Sequence, residues 1–411
     1  MRRAKLISQS VIPVVAVAGL VLAVGCSSGS GNSSSNSGNS SHVNVSALNS
    51  SVNSAAALPR FSTYAAQYGG NVPTSGLAGK KIMIIPGVSA LAACTEIAQA
   101  SAAIAASVGM VPTIFANGGT TAEHNTAIED AIHQGYAAID MGCAVDPSTS
   151  APALKQAEAA GIAVSAYGAT TKEAAAAGVT YNNVDPYALD AKIAADQAVA
   201  QHDGKPFHSI AITSNAAPAT EIMQSALKAE LKKTCPACTM TEVNVEVPNW
   251  QTDIQSAVTS ALLQNPNLTV LFPDYAGMLT YMLAGIQGAH RTNNIKTYLA
   301  FGGGTPFVKL QTQEPGKSII QSDIGGYPPW TGYLMFLQTA RALAKMPPIP
   351  YSQAIGPDRV VTPQNADEVL ATGGWGTDWV NGFRGLLGLP SLSGADLTSA
   401  ATLNGAMVGT S

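Results

Sequence analysis

The chain has 411 residues, of which 46% are hydrophobic and only 11% charged, and its net charge is −4. That balance carries no basic footprint for nucleic acid, and past residue 26 no apolar run approaches the length that crosses a bilayer. The length suffices for one large domain or two lobes with a sizeable core.

The N-terminus is expected to be an export signal. Met1 to Lys5 is basic, and Leu6 to Leu22 is mostly apolar but interrupted by Ser8, Gln9, Ser10 and Pro13. A short apolar stretch containing a proline and followed by small residues fits a cleaved signal over residues 1–25 better than a spanning helix. Ala23-Val24-Gly25-Cys26 resembles the lipobox of bacterial lipoproteins, although leucine is commoner than Ala23 at its position. The resemblance implies a diacylglyceryl group on Cys26 and cleavage before it; the alternative is an ordinary secretory signal beside an incidental cysteine. Residues 26–58 are rich in Ser, Gly and Asn and are expected to be a flexible tether with a reach of roughly 30 Å.

The remaining chain alternates strand-like and helix-like segments. Lys81 to Ile85 reads as a continuous apolar strand, Leu91 to Val108 as an Ala-rich helix, and Val111 to Phe115 as a second strand. A helix over Thr121 to His133, a strand over Ala137 to Met141, a helix over Ser150 to Ala160 and a strand over Ile162 to Ser165 follow. The pattern then restarts with strands at His208 to Ile212, Thr239 to Val245, Leu268 to Phe272 and Lys296 to Phe301. Between them lie helices at Thr220 to Lys233, Thr252 to Leu263 and Gly277 to Gly288. Unbroken apolar strands separated by helices imply parallel sheets covered on both faces. The fold class is therefore α/β, with two doubly wound parallel-sheet lobes.

Of five cysteines, four remain beyond Cys26, an even number in an exported chain. Cys235-Pro236-Ala237-Cys238 has the spacing of a redox pair, but it follows a helix end, where the dipole does not lower a thiol pKa. A structural Cys235–Cys238 disulfide is expected, with a catalytic pair as the alternative.

Several stretches resemble the ribose-type periplasmic binding proteins, the solute receptors of ABC importers. They are Val145-Asp146-Pro147 with Ala151 to Ala157 and Ala160 to Val164; Tyr181 to Asp185 with Ala191 to Asp196; and Ile320 to Gly326 followed by Tyr327 to Tyr333. The resemblance spans roughly residues 80 to 390. It implies two lobes joined by three crossovers, near Thr180 to Val184, Ser322 to Ile324 and Asp358 to Val361, closing on a ligand. The lobes would be residues 80–182 plus 324–360 and residues 183–323 plus 361–395. In the family's strand order the first and third strands are neighbours, which implies a Cys94–Cys143 disulfide at the cleft edge.

Independently, open parallel sheets bind ligands beyond the carboxyl ends of their strands. The residues expected to contact ligand are Ser89, Asn117, Tyr167, Asn215, Asp274, Tyr275, Gln321, Asp323 and Trp330. For Trp330 the competing reading is simple packing of its helix. Positions where sugar receptors carry charged partners hold Tyr167-Gly168, Met223 and Gly302 to Gly304 here. Hydroxyls buried without partners are costly, so a ligand with fewer hydroxyls than a hexose is expected. His124, His133 and His208 read as structural or solvated rather than metal ligands, and no HExxH, P-loop or GxSxG elbow at a strand-to-helix turn occurs.

The expectation is a non-enzymatic, cofactor-free monomer. It would be lipid-anchored on the extracytoplasmic face of the cell membrane and pass a small molecule to an ABC permease. The alternative is a ligand-sensing protein of the same fold with a signalling partner.

Overall fold

The computed structural model describes residues 43–143, 146–217, 219–299, 302, 309, 318–372 and 374–403. Cys26 and the expected signal peptide lie outside the described residues. So do Gly303 and Gly304.

The first lobe is a five-stranded parallel sheet in the order β2-β1-β3-β4-β5, formed by β1 (Lys81–Pro86), β2 (Val111–Ile114), β3 (Ala138–Gly142), β4 (Ala163–Tyr167) and β5 (Tyr181–Asn183). In β1 every residue after Lys81 is buried, as a strand covered on both faces requires. Helices α3 (Ala92–Ser107), α4 (Thr121–His133), α5 (Ala151–Ala159) and α6 (Thr171–Ala177) connect the strands. Two of them start at capping boxes, Thr120 with Glu123 for α4 and Thr170 with Glu173 for α6, each satisfying otherwise orphaned N–H groups.

The second lobe is a six-stranded sheet in the order β11-β10-β9-β8-β6-β7. Its strands are β6 (His208–Thr213), β7 (Thr239–Asn244), β8 (Leu268–Pro273), β9 (Lys296–Tyr298), β10 (Ile320–Gly326) and β11 (Asp358–Val361). All pairs are parallel except β10 with β11. Helices α7 (Tyr187–Gln201), α8 (Thr220–Thr234), α9 (Trp250–Gln264) and α10 (Leu279–Gly288) cover it. Both Cys94–Cys143 and Cys235–Cys238 are disulfide-bonded.

The chain first passes between lobes after β5, where Val184 forms an isolated bridge with Ile355. It returns after β10 through Tyr327 into α11 (Pro328–Leu343), a helix buried almost along its whole length in the first lobe. Gly332 permits this, because a Cβ there would collide with the Ile97 carbonyl and lie 2.6 Å from the Ala100 Cβ of α3. The chain then re-enters the second sheet as β11. The segments expected to be the second and third crossovers are thus strands β10 and β11 of the second sheet, and the passages lie beside them.

Two expectations need correction. Residues 361–395 were expected in the second lobe, yet Trp375, Trp379, Val380 and Phe383 share one core with Ile82 and Ile84 of β1 and with Trp330. The aromatic rings explain the choice: Trp379 stacks on Trp330 at 5.6 Å and meets Tyr333 edge-on at 5.0 Å, so α12 (Ala366–Thr372), α13 (Asp378–Leu386) and α14 (Gly394–Thr402) follow α11 into the first lobe. The tether, expected to be coil through residue 58, contains helix α1 (Val45–Ala55). Val45, Leu48 and Val52 form a helical stripe inside the polar tract, Asn44 caps the helix by accepting from the Ala47 N–H at 3.0 Å, and Val52 is buried in the second-lobe core. The next helix, α2 (Phe61–Tyr64), packs in the first-lobe core through Phe61, so residues 45–64 bridge both lobes.

Candidate functional site

Between the lobes lies a cavity of about 240 Å³. The first lobe contributes Leu91, Cys94 and Ile97 from the β1–α3 turn and α3, Cys143 beyond β3, and Tyr167 and Gly168 beyond β4. The second contributes Trp250 and the Tyr275-Ala276-Gly277 turn beyond β8, and Gly302. Its floor is the hinge itself: Tyr187, Gly326, Pro328 and Thr331. This is where the strand-end rule places a ligand in open parallel sheets. A wider outer cavity of about 470 Å³ continues toward the rim, lined by Thr121, His124, Asp146, Thr149, Gln251 and Tyr281 among others. Leu91, Trp250 and Tyr275 line both and separate them.

The inner cavity offers little spare polarity. Among its described lining residues none is charged. The Tyr167 hydroxyl donates to the Asp185 carboxyl, the Trp250 Nε1–H donates to the Val245 carbonyl at 3.0 Å, and the Tyr187 hydroxyl donates to the Gly168 carbonyl at 3.4 Å. The Tyr275 hydroxyl lies 3.3 Å from Thr220 Oγ1, and its ring stacks on Trp250 at 6.0 Å. In the outer cavity, His124 Nε2–H donates to the Gly87 carbonyl at 3.0 Å, and burial holds its pKa down, which keeps the ring neutral.

Behind the cavity the hinge buries three carboxyls. Asp185 leaves β5, Asp190 sits in the first turn of α7 and Asp358 begins β11, so each belongs to a segment at a passage between lobes. Burial pushes all three up, Asp190 to about 8, and the neighbouring carboxyl raises Asp185 and Asp358 further. Burial thus favours the protonated, uncharged form of each carboxyl.

Of the residues expected from sequence, Tyr167 and Tyr275 line the inner cavity. The others fall elsewhere, each for a visible reason. Ser89 Oγ accepts from the Asn117 N–H at 3.0 Å, and the Asn117 side chain bonds the Pro86 carbonyl and the Gly119 N–H, so this pair braces the loops after β1 and β2. Asn215 is exposed and its N–H donates to Asn244. Asp274 is buried beneath Tyr275, receives the Gln224 amide, and is pushed up to about 7 by burial. Gln321 donates to the Ser318 carbonyl and lines neither cavity. Asp323 is buried against Gly302, where any side chain at 302 would strike its carboxyl. Trp330 is fully buried in the aromatic core and donates to the Tyr68 hydroxyl at 3.1 Å, the packing role weighed against ligand contact. Met223 belongs to the second-lobe core rather than the cleft.

Sequence reasoning missed Leu91, Ile97, Trp250, Tyr187 and Thr331. Trp250 was findable, because it opens the helix after β7 at the carboxyl end of a strand. Leu91 and Ile97 were not, since apolar residues in an Ala-rich helix read as core.

Residues 88–345 match a family model described as a periplasmic binding protein domain. No curated protein sequence matches the chain. Among solved structures, it is similar to a 5-methylthioribose transporter solute-binding protein from Thermotoga lettingae in complex with 5-methylthioribose. That match has a TM-score of 0.61 and 15% identity, over 81% of this chain and 98% of the other. It is also similar to an ABC transporter solute-binding protein from Agrobacterium vitis with bound allitol, with a TM-score of 0.62 and 20% identity, over 72% and 99%. A carbohydrate transporter protein from Acidothermus cellulolyticus in complex with myo-inositol matches at 0.59 and 18%, over 74% and 100%.

Proposed function

Since the chain belongs to the periplasmic binding protein domain family, we propose that it is the extracytoplasmic solute receptor of an ABC importer, anchored by a lipid on Cys26. The observation that carries the reading is the cavity between the carboxyl ends of two parallel sheets with the hinge as its floor. A receptor needs this arrangement, because closure about a hinge buries the ligand while the outer faces remain free for a permease. The reaction class is binding and release without catalysis.

The ligand is a small sugar-like molecule with fewer hydroxyls than a hexose. The three similar structures carry 5-methylthioribose, allitol and myo-inositol. The uncharged inner lining supports the sparsely hydroxylated end of that range. Contact through Tyr167 and Tyr275 is part of the proposal, each ring giving a face to the ligand. A sensing role would use the same cleft and differ only in the partner.

A thermal-shift screen over pentoses, hexoses, deoxy-sugars, polyols, aromatic acids and small amides tests the reading. A cognate ligand at a hundredfold excess over its Kd stabilises the fold by about 2.7 kcal/mol. A hit whose shift disappears in Tyr275→Ala supports the cleft; a hit indifferent to Tyr167→Ala and Tyr275→Ala contradicts it.

A further inference from the structure

The cleft is two chambers, of which the outer is the more polar. The hinge-side chamber ends on Tyr187, Gly326 and Thr331 at the passages between lobes, so it is the deeper one. Its walls are Leu91, Ile97, the Cys94–Cys143 disulfide, Ala219 and the stacked Trp250–Tyr275 pair. Most of its polar side chains are already engaged, Tyr167 with Asp185, Tyr187 with Gly168, Trp250 with Val245 and Tyr275 with Thr220, which leaves the Thr331 hydroxyl. The rim-side chamber carries Thr121, His124, Asp146, Thr149 and Gln251, of which Thr121, Thr149 and Gln251 are solvent-exposed.

We propose that the ligand is not an anion and is two-faced, entering with an apolar ring or alkyl group seated in the hinge-side chamber against Leu91, Ile97 and Trp250, and its hydroxyls in the rim-side chamber. This rests on the reading of the cleft as a solute site. Beyond what the one Thr331 hydroxyl can pair, each hydroxyl driven into the deep chamber would give up water for walls whose donors are occupied, whereas an apolar group gives up nothing and gains contact with rings and a disulfide. An anion finds no cation on the described lining of either chamber: the only ring that could carry positive charge, His124, is held neutral by burial. The deep chamber's volume of about 240 Å³ is below the roughly 300 to 1,000 Å³ of sites for drug-sized ligands, so its occupant is one ring or a short chain.

Isothermal titration with matched pairs tests this: D-ribose against phenyl and methylthio-substituted ribosides, and myo-inositol against cyclohexanol, on wild type, Ile97→Asn and Tyr275→Ala. The expected result is at least tenfold tighter binding of the apolar-substituted member, or about 1.4 kcal/mol, with the preference shrinking in Ile97→Asn. A parent sugar or polyol that binds as tightly as its apolar partner, and still weakens in Tyr275→Ala, overturns the two-faced ligand while leaving the cleft as the site. Binding that is unchanged in Tyr275→Ala overturns the cleft reading and the inference together. Absence of binding by every apolar-substituted member also overturns the inference. Ile97→Asn and Tyr275→Ala are first checked for wild-type circular dichroism; should Ile97→Asn misfold, Leu91→Asn replaces it, since Leu91 is only half-buried.

Discussion

Leu91 of the first lobe meets Gly277 of the second across the cleft: a Cβ on Gly277 would lie 3.3 Å from Leu91 Cδ2 and 2.9 Å from Trp250 Cζ3. The contact with Leu91 crosses the cleft, whereas the tighter one, with Trp250, lies within the second lobe. Gly277→Val should therefore crowd Leu91 across the cleft and Trp250 in the second-lobe core, and circular dichroism first checks that the variant is folded. The expected outcome is at least a tenfold loss of ligand affinity and a larger radius of gyration in small-angle scattering. Unchanged affinity would show that closure at this point is not part of binding.

The Tyr167 hydroxyl is the donor that reaches buried Asp185. Tyr167→Phe keeps the ring in the cavity but leaves that carboxyl short of a partner, at a cost of about 1 to 3 kcal/mol. Calorimetry should show a lower melting midpoint, with ligand affinity within a few fold of wild type. A large affinity loss would mean that the hydroxyl rather than the ring serves the ligand.

Most of the fold was legible in the sequence because parallel strands buried on both faces are unbroken apolar runs. Lys81 to Ile85 and Leu268 to Phe272 each needed extending by one residue only. What escaped was decided by tertiary contacts. Helix α1 hid in a tract whose average composition is that of a coil, and its stripe of three apolar residues has meaning only against α7. Residues 366–403 carry no signal of which lobe they join; the rings of Trp330 and Tyr333 decide that. At the site, Tyr167 and Tyr275 were readable from strand ends. Asp274 and Asp323 sit at strand ends or close to them too, yet both are buried behind the cavity wall, because a one-residue step along a strand reverses the side chain's face.

The two disulfides should contribute unequally. Cys94–Cys143 closes a separation of 49 residues and Cys235–Cys238 only 3. In the chain-entropy account these correspond to about 4 and about 2 kcal/mol. Replacing Cys94 and Cys143 by serine should therefore lower the melting midpoint roughly twice as far as replacing Cys235 and Cys238. The reverse order would assign the C-x-x-C pair a larger role than fixing a helix exit.

Stability should fall as pH rises from about 4 to about 8. Asp140 is fully buried among Ser101, Ser165 and Thr339, and burial pushes it up to about 6; Asp274 stands at about 7 and Asp190 at about 8. Each folded-state value lies above the 3.8 of an ordinary aspartate. The folded state thus holds protons that the unfolded chain releases, and the stabilisation is complete below 3.8 and lost as pH passes each folded value. The slope is about 1.4 kcal/mol per pH unit for each group still protonated. Chemical denaturation from pH 4 to 9 should show it, and Asp140→Asn should flatten the limb below pH 6. A profile that rises over this range would contradict the buried, protonated carboxyls.

If Cys26 carries the lipid, intact-mass measurement of the membrane fraction should find diacylglyceryl on a chain that begins at Cys26. Cys26→Ala should then release the protein into the medium. A free Cys26 thiol on a membrane-bound chain would rule the anchor out.

The account stands on a solute closing the two lobes about one cleft, and hydrogen–deuterium exchange with and without ligand tests that most directly. It predicts simultaneous protection in residues 87–97 of the first lobe, 274–279 of the second and 184–187 at the hinge. Protection confined to one lobe, or centred on the outer helices, would contradict it.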